Sequence, residues 1–279
     1  MTPLDRLDAD SNDAIASLCA RALARPPSAS ELAGGLWASD QPAVVRGDPA
    51  VGVVATVTGA VSGDPHEGYV RLLLVDPDHR ARGHGKALLA AAEQDLKDAG
   101  AARVTVGADA PYYLFPGVET VETAMLCLLE RCRYHRHEAN FNMTVDLADL
   151  PPDPGGTTVA VANERDEVAA WMKTHWANWG PEVLRALDKG TLLISRDGEG
   201  LTGFCAWDVN RRDLLGPVAV RPGIIGRGAG VPLLVGALHR MRDAGADDIE
   251  VSWVGPIVPY ARVGGDVGRV FFVYRKQLA

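Results

Sequence analysis

The chain has 279 residues, 47% of them hydrophobic, and a formal net charge of −8 at pH 7. That length supplies two ordinary domains with apolar residues for two cores, and the acidic balance argues against a nucleic-acid partner. No apolar run approaches the roughly 18–20 residues of a membrane helix, so no membrane partner is expected. The start, Met-Thr-Pro-Leu-Asp-Arg, lacks the basic-then-apolar order of a leader, and a cytoplasmic protein is expected. The four cysteines, Cys19, Cys127, Cys132 and Cys205, make no C-x-x-C pair; Cys127 and Cys132 read as packed thiols on a helix.

In chain order, residues 3–8 predict a first strand. Ser11 then caps a helix from Asn12 to about Leu23, with Ile15, Leu18, Cys19 and Leu23 at helical spacing. Pro26-Pro27 end it, and Ser28 to Trp37 predicts a second helix. Ala43–Arg46 and Val51–Thr58 form a hairpin across Gly47-Asp48-Pro49. A strand from Gly68 to Val75 follows, then a basic glycine loop, Asp76-Pro-Asp-His-Arg-Ala-Arg-Gly-His-Gly-Lys86. That loop opens an Ala- and Leu-rich helix, Ala87 to Leu96.

A strand, glycines and then a helix N-terminus bring unpaired N–H groups and the positive end of the helix dipole to one place. Gly83 and Gly85 leave that backbone open to an anion, and Arg80, Arg82 and Lys86 add positive charge, with Val75 and His84 alongside. The stretch reads as a phosphate cradle. It is not a Walker loop, which needs Ser or Thr where Ala87 stands. The dinucleotide fingerprint fails too, with Leu88 at its third glycine.

Arg103 to Val106 is the next strand. Pro111-Tyr-Tyr-Leu-Phe-Pro-Gly-Val118 after it reads as a buried loop plugging the domain, with a pocket wall as the alternative. A helix from Val121 to Cys132 and a long strand from His135 to Leu147 complete the first half. His135 and His137 share a strand face, yet no third ligand follows at a suitable spacing; they read as surface histidines and no metal is expected. Leu150-Pro-Pro-Asp-Pro-Gly-Gly156 can continue neither sheet nor helix and is a linker.

The order then restarts. Strand Thr158–Val161, helices Asp166–Trp176 and Pro181–Leu187, and strands Thr191–Ser195, Thr202–Asp208 and Leu214–Val220 lead to a second cradle, Arg221-Pro-Gly-Ile-Ile-Gly-Arg-Gly-Ala-Gly-Val231. It repeats the first at a constant offset of 145 residues. Pro77 matches Pro222, Arg82 matches Arg227, Gly83 matches Gly228 and Gly85 matches Gly230. From 75 to 106, 13 of 32 aligned positions are identical. A solvated turn has no reason to recur with its strand, helix and next strand attached. Val218, Val220, Gly226, Arg227, Gly228, Ala229, Gly230 and Val231 are the second cradle's candidate binding residues. Val251–Val254, Pro256 to Tyr260 and a last strand, Arg269–Tyr274, close the chain.

The Val-x-Pro strand end followed by Arg-x-x-Gly-x-Gly resembles the acyl-CoA pyrophosphate loop of the GNAT superfamily of N-acetyltransferases. The resemblance covers nearly the whole chain, including the Tyr-Leu-Phe-Pro-Gly-Val segment similar to one in tandem GNAT proteins. It implies an α/β fold (α+β, mixed sheet) with two tandem GNAT acyl-CoA N-acyltransferase domains, residues 1–149 and 156–279 joined by linker 150–155. It further implies acetyl-CoA as co-substrate and a small-molecule primary amine as acceptor. The Ala-, Gly-, Arg-rich composition suits a GC-rich bacterial genome. An antibiotic or metabolite amine, or kinship with mycothiol synthase, are the narrower readings. A non-catalytic acyl-CoA-binding protein and a protein or peptide N-acetyltransferase are the alternatives, and an oligomer stays open.

GNAT enzymes often protonate the departing CoA thiolate from a Tyr in a Tyr-x-x-x-Gly segment. Tyr260-Ala-Arg-Val-Gly264 matches; the first half has Leu129-Glu-Arg-Cys-Arg133 at the aligned place, and leucine carries no proton. The halves therefore divide the features, with the fuller cradle in the first and the acid in the second, so the second half is expected to be catalytic. Candidate general bases are His66, Glu67, Asp208 and Asp213, on or before the strands that lead to each loop. His175, Trp176 and Trp179 stand where the resemblance puts the acceptor-binding helices.

Overall fold

A computed structural model describes residues 4–37, 41–58 and 66–278. In chain order its elements are β1 (Arg6–Leu7), α1 (Asn12–Ala22), α2 (Ala29–Leu36), β2 (Val44–Asp48), β3 (Gly52–Thr58), β4 (Glu67–Val75), α3 (His84–Asp98), β5 (Arg103–Val106), β6 (Val118–Glu119), α4 (Thr123–Arg131) and β7 (His135–Asp146). They continue with β8 (Thr157–Val159), α5 (Arg165–His175), α6 (Gly180–Lys189), β9 (Leu192–Asp197), β10 (Gly200–Trp207), β11 (Leu214–Val220), α7 (Val231–Asp243), β12 (Asp248–Val251), α8 (Val258–Ala261) and β13 (Asp266–Gln277). The α/β class with a mixed sheet is as expected. The strand expected over 3–8 shrinks to two residues, and position 3 lies outside the described residues. Cys127 is exposed, against the expectation of a packed thiol, while Cys132 is half-buried and packs on the core.

The chain groups into two compact units, Met1–Asn140 with Val270–Ala279, and Phe141–Arg269. Compared with the sequential halves 1–149 and 156–279, each unit takes a last strand from the other half. Residues 143–146 of β7 pair with β12, and residues 274–277 of β13 pair with β5.

In the first unit the strand order is β1-β2-β3-β4-β5-β13. β3 alternates as a strand buried on both faces should. Val53, Ala55 and Val57 face α1 and α2 with Ile15, Leu18, Leu32 and Leu36, while Val54 faces α3 and α4 with Leu88, Leu89, Leu96 and Leu129. Ser28 starts α2 through a capping box, its hydroxyl accepting from the Glu31 N–H at 3.3 Å while Glu31 accepts from the Ser28 N–H at 2.6 Å. The Tyr112–Leu114 segment is buried, with Leu114 in the α1–α2 core, as the plugging loop predicted.

The second unit repeats the plan in the order β7-β12-β11-β10-β9-β8. α5 and α6 bury Val168, Met172, Val183 and Leu187 against Ile194 and Phe204, and α7 buries Leu233, Leu234 and Leu238 on the other face. Among the described residues no helix is long and apolar enough to cross a membrane, and no group of three His, Cys, Asp or Glu could hold a metal.

Candidate active site

In each unit the strand before the glycine loop runs parallel to its neighbour and pairs with it only at the start. β4 and β5 pair from Glu67–Arg103 to Val70–Val106, and β11 and β12 pair only at Leu214–Glu250 and Leu215–Val251. Beyond those residues the strands splay. A wedge opens on the sheet where, among the described residues, β4 and β11 keep backbone groups on that side that no neighbouring strand uses, next to a helix N-terminus.

Both strands also carry a bulge at that point. Ala55 opposes Leu72 and Thr56 opposes Val70, so Arg71 has no partner on β3; the extra residue is why Val70 shares a face with Leu73. In the second unit Cys205 opposes Val218 and Trp207 opposes Leu215, placing the irregularity at Gly216-Pro217. At the 145-residue offset, Gly216 stands where Arg71 does.

The two bulges are furnished differently. Arg71 is fully buried, with Nε donating to the Asp109 carboxylate and Nη1 to the carbonyls of Gly35 and, at 3.3 Å, Gln41. Its guanidinium lies 5.8 Å from the centre of the Tyr112 ring. Burial raises the Asp109 carboxyl above its ordinary range, opposed by Arg71. Gly216 brings no side chain, and a Cβ built on it would find only the Ser252 oxygen, 3.9 Å away. This pair escaped the sequence reading, although a lone arginine inside the apolar run Tyr69–Val75 was a usable signal.

The cradles differ as well. In the first, Gly83 (φ +89°) caps α3, and the N–H groups from Ala81 to Lys86 have no acceptor among the described residues. Arg82 and Lys86 are exposed beside them. Arg80 is exposed too, but its guanidinium is bonded within the fold, donating to the carbonyls of Val75 (3.3 Å) and of Ala22 at the end of α1 (3.2 Å). It braces the loop, which the expectation of a third free cation did not foresee. Asp76 anchors the turn before it, accepting from the Asp78 N–H and pairing with Arg21 at 2.8 Å, and that Arg21 bond above all holds its carboxyl below the usual range. Leu128 of α4 closes on this loop, its Cδ2 only 2.8 Å from where a Gly85 Cβ would be, with Val75 alongside.

In the second cradle Gly226 and Gly228 take positive φ and Gly230 caps α7. The N–H of Arg227 turns back to Ile224 and that of Val231 to Gly228, and Pro232 has none to offer. Ile225 replaces Arg80, and the Val220 carbonyl accepts instead from the indole of Trp176 at 3.0 Å. Trp176 stacks on Trp179 with centroids 5.1 Å apart; His175 lies edge-on to Trp171 at 4.9 Å. The three acceptor-side candidates thus share one helix end, and one of them supports the loop.

Tyr260 sits in α8, against the core that holds Cys205 and Val218. Its position is set from both sides. The Trp253 N–H donates to Asn142 and that of Val254 to Phe141, fixing the chain before it. Behind it Gly264 takes φ +84°, and a Cβ at Gly265 would approach the Tyr260 carbonyl to 2.8 Å, so the motif's glycine and its successor answer to backbone geometry. The phenol makes no hydrogen bond among the described residues, and burial pushes its pKa up, keeping it protonated at neutral pH.

The carboxylates among the general-base candidates are engaged elsewhere. Burial pushes the Glu67 carboxyl up, but its bonds to Arg103 and Thr105 and the charge of Arg275 together hold it below the usual range. Asp208 accepts from the Asp213 N–H at 2.6 Å across the β10–β11 turn, and Asp213 pairs with Arg212 at 3.6 Å. These contacts brace a sheet end and a hairpin. His135 and His137 are exposed, and His137 meets Arg275.

Comparison with known proteins converges on one group. The model of the acetyltransferase (GNAT) family matches residues 20–112. A mycothiol acetyltransferase of Kineococcus radiotolerans is 32% identical over 266 residues, 84% of this chain and 81% of the relative. One from Streptomyces griseus is 28% identical over 270 residues, 84% and 83% of the two chains. A tandem GNAT protein from the clavulanic acid biosynthesis pathway superposes with a TM-score of 0.70 at 16% identity, over 99% of this chain and 98% of that one.

Proposed function

Because the chain belongs to the acetyltransferase (GNAT) family, an N-acetyltransferase that uses acetyl-CoA, we propose that it passes the acetyl group directly to a primary amine of a small molecule in its second unit. The observation that carries this is the contrast at the paired bulges. At the first bulge stands the buried Arg71 with Asp109 and Tyr112 against it, whereas at the second a Cβ on Gly216 would meet, among the described residues, only the Ser252 carbonyl within 4 Å, with the unpartnered Tyr260 phenol in the same unit.

The amine nitrogen attacks the acetyl carbonyl carbon, and the carbonyl π electrons move onto oxygen, where an unpaired N–H of the splayed strand can stabilise the charge. Collapse re-forms the carbonyl and breaks the carbon–sulfur bond. The thiolate takes the Tyr260 proton, and the acceptor nitrogen releases its own to solvent, from which the phenolate is reprotonated. His175 and Trp179 border the acceptor, and the first unit binds CoA or serves as structure. The curated relatives are named for mycothiol, so a mycothiol-type amine is the first acceptor to assay. With no membrane-spanning helix among the described residues, the cytoplasm is the compartment that suits this chemistry.

The test is Tyr260→Phe in the full chain, assayed with acetyl-CoA and a panel of amines that includes the mycothiol type. The kcat should fall by about 10²-fold, the usual reach of one positioned acid, with the melting temperature kept. An unchanged kcat would remove Tyr260 from the reaction.

A further inference from the structure

The second cradle keeps the glycine geometry of an anion site but has lost much of its means of holding an anion. Two of its loop amides, Arg227 and Val231, are spent on carbonyls within the loop, and Pro232 has no N–H at the second helical position. In the first cradle the amides of Arg82 and Lys86 are unspent among the described residues, while that of Ala87, the counterpart of Pro232, is bonded to the Gly83 carbonyl. The cations thin out likewise: Arg80 and Lys86 correspond to Ile225 and Val231, leaving Arg227. Those two replacements are not packed away. Ile225 is 59% and Val231 41% exposed, so the side chains that face solvent at the loop are apolar. Since β11 and β12 are parallel neighbours, the segment after β12 leaves the sheet at the same end, and it too carries exposed aliphatics, Ile257 and Val258.

A diphosphate is held by charge-assisted bonds, each stronger than a neutral one, and an exposed aliphatic offers none. The thioester arm of the donor, pantetheine, is an uncharged chain of amides and methylenes. It asks for unpaired strand backbone and apolar contact, which the splayed β11 edge and this rim supply. We infer that the second unit recognises its donor by the acyl-pantetheine arm and draws little from the nucleotide. It therefore accepts acyl-pantetheine thioesters nearly as well as acyl-CoA. This rests on the reading of the second unit as the site of transfer.

The experiment is calorimetric titration of the full chain carrying Arg82→Glu and Lys86→Glu, which reverse the charge of the two first-cradle cations that have no partner among the described residues. Acetyl-CoA and acetyl-pantetheine are titrated separately, with a thermal melt to show that the fold is kept. The two dissociation constants should agree within about tenfold, a difference too small for a working diphosphate clamp. Adding Ile225→Arg and Val231→Lys should tighten acetyl-CoA by about tenfold or more and leave acetyl-pantetheine unchanged. If acetyl-CoA already binds about a hundredfold more tightly before those changes, or if they leave the ratio as it was, the inference is wrong while the second unit remains the transfer site. If neither donor binds the folded chain, the second unit holds no donor and both readings fall.

Discussion

The indole nitrogen of Trp176 donates to the carbonyl of Val220 at 3.0 Å, the same strand-end carbonyl that Arg80 serves at Val75 in the first unit. The repeat has thus kept a bond and changed its donor, from a loop residue in one half to a residue at the end of α5 in the other. Replacing Trp176 with Phe keeps the ring stacked on Trp179 and deletes only the N–H. The variant should lose about 1–2 kcal/mol of stability in urea unfolding, the cost of an orphaned carbonyl. If the second unit holds the donor's arm along β11 as proposed, the KM for the donor should rise with little change in kcat, since Val220 ends that strand and takes no part in proton transfer. A kcat loss without a KM change would mean that Trp176 acts on the acceptor instead.

The Arg71–Asp109 pair is buried on both sides. Asp109→Ala leaves a guanidinium unpaired in the core and should cost about 3–5 kcal/mol by chemical denaturation. Arg71→Met combined with Asp109→Leu removes both charges and should recover most of that loss. A double variant as unstable as the single one would show that Arg71 is held by the Gly35 and Gln41 carbonyls more than by its counter-ion.

Glu182 of α6 is buried and accepts from Asn210, which in turn accepts from Arg185. Burial pushes its carboxyl from 4.5 to about 8, opposed by Arg185. With the folded pKa above the unfolded one, the folded state binds the extra proton between those values. Stability is therefore highest below about pH 4.5 on this account and falls as pH rises towards 8, by up to about 4–5 kcal/mol. Glu182→Gln should flatten the wild-type decline measured by urea unfolding at pH 5 and pH 8. The same slope in both proteins would assign the decline to other groups.

Residues 270–277 complete the first unit, with Phe271, Val273 and Tyr274 buried and Tyr274 bonded to Glu130. Deleting residues 270–279 should leave β5 without its antiparallel partner. Hydrogen exchange at Arg103–Val106 should then become fast and the first-unit melt broad. Protection at those four amides in the truncated chain would show that the first half closes its own sheet.

What the linear chain determined was local. Alternation in β3, helical spacing in α1, the proline-rich linker and glycines ahead of apolar helices are signals written within a few residues. The 145-residue repeat multiplied them into a family resemblance, with its class of reaction and its two cradles. Tyr260 could be proposed as the acid because its motif is contiguous. Tertiary structure decided what depends on partners far apart in the chain. Asp109 accounts for Arg71 from 38 residues away, Trp176 reaches Val220 across 44, and Arg103 and Arg275 occupy Glu67. Strand pairing also drew residues 270–277 into the first unit. A hydrogen bond is made by whichever group the fold brings within reach, and chain position alone does not say which group that will be.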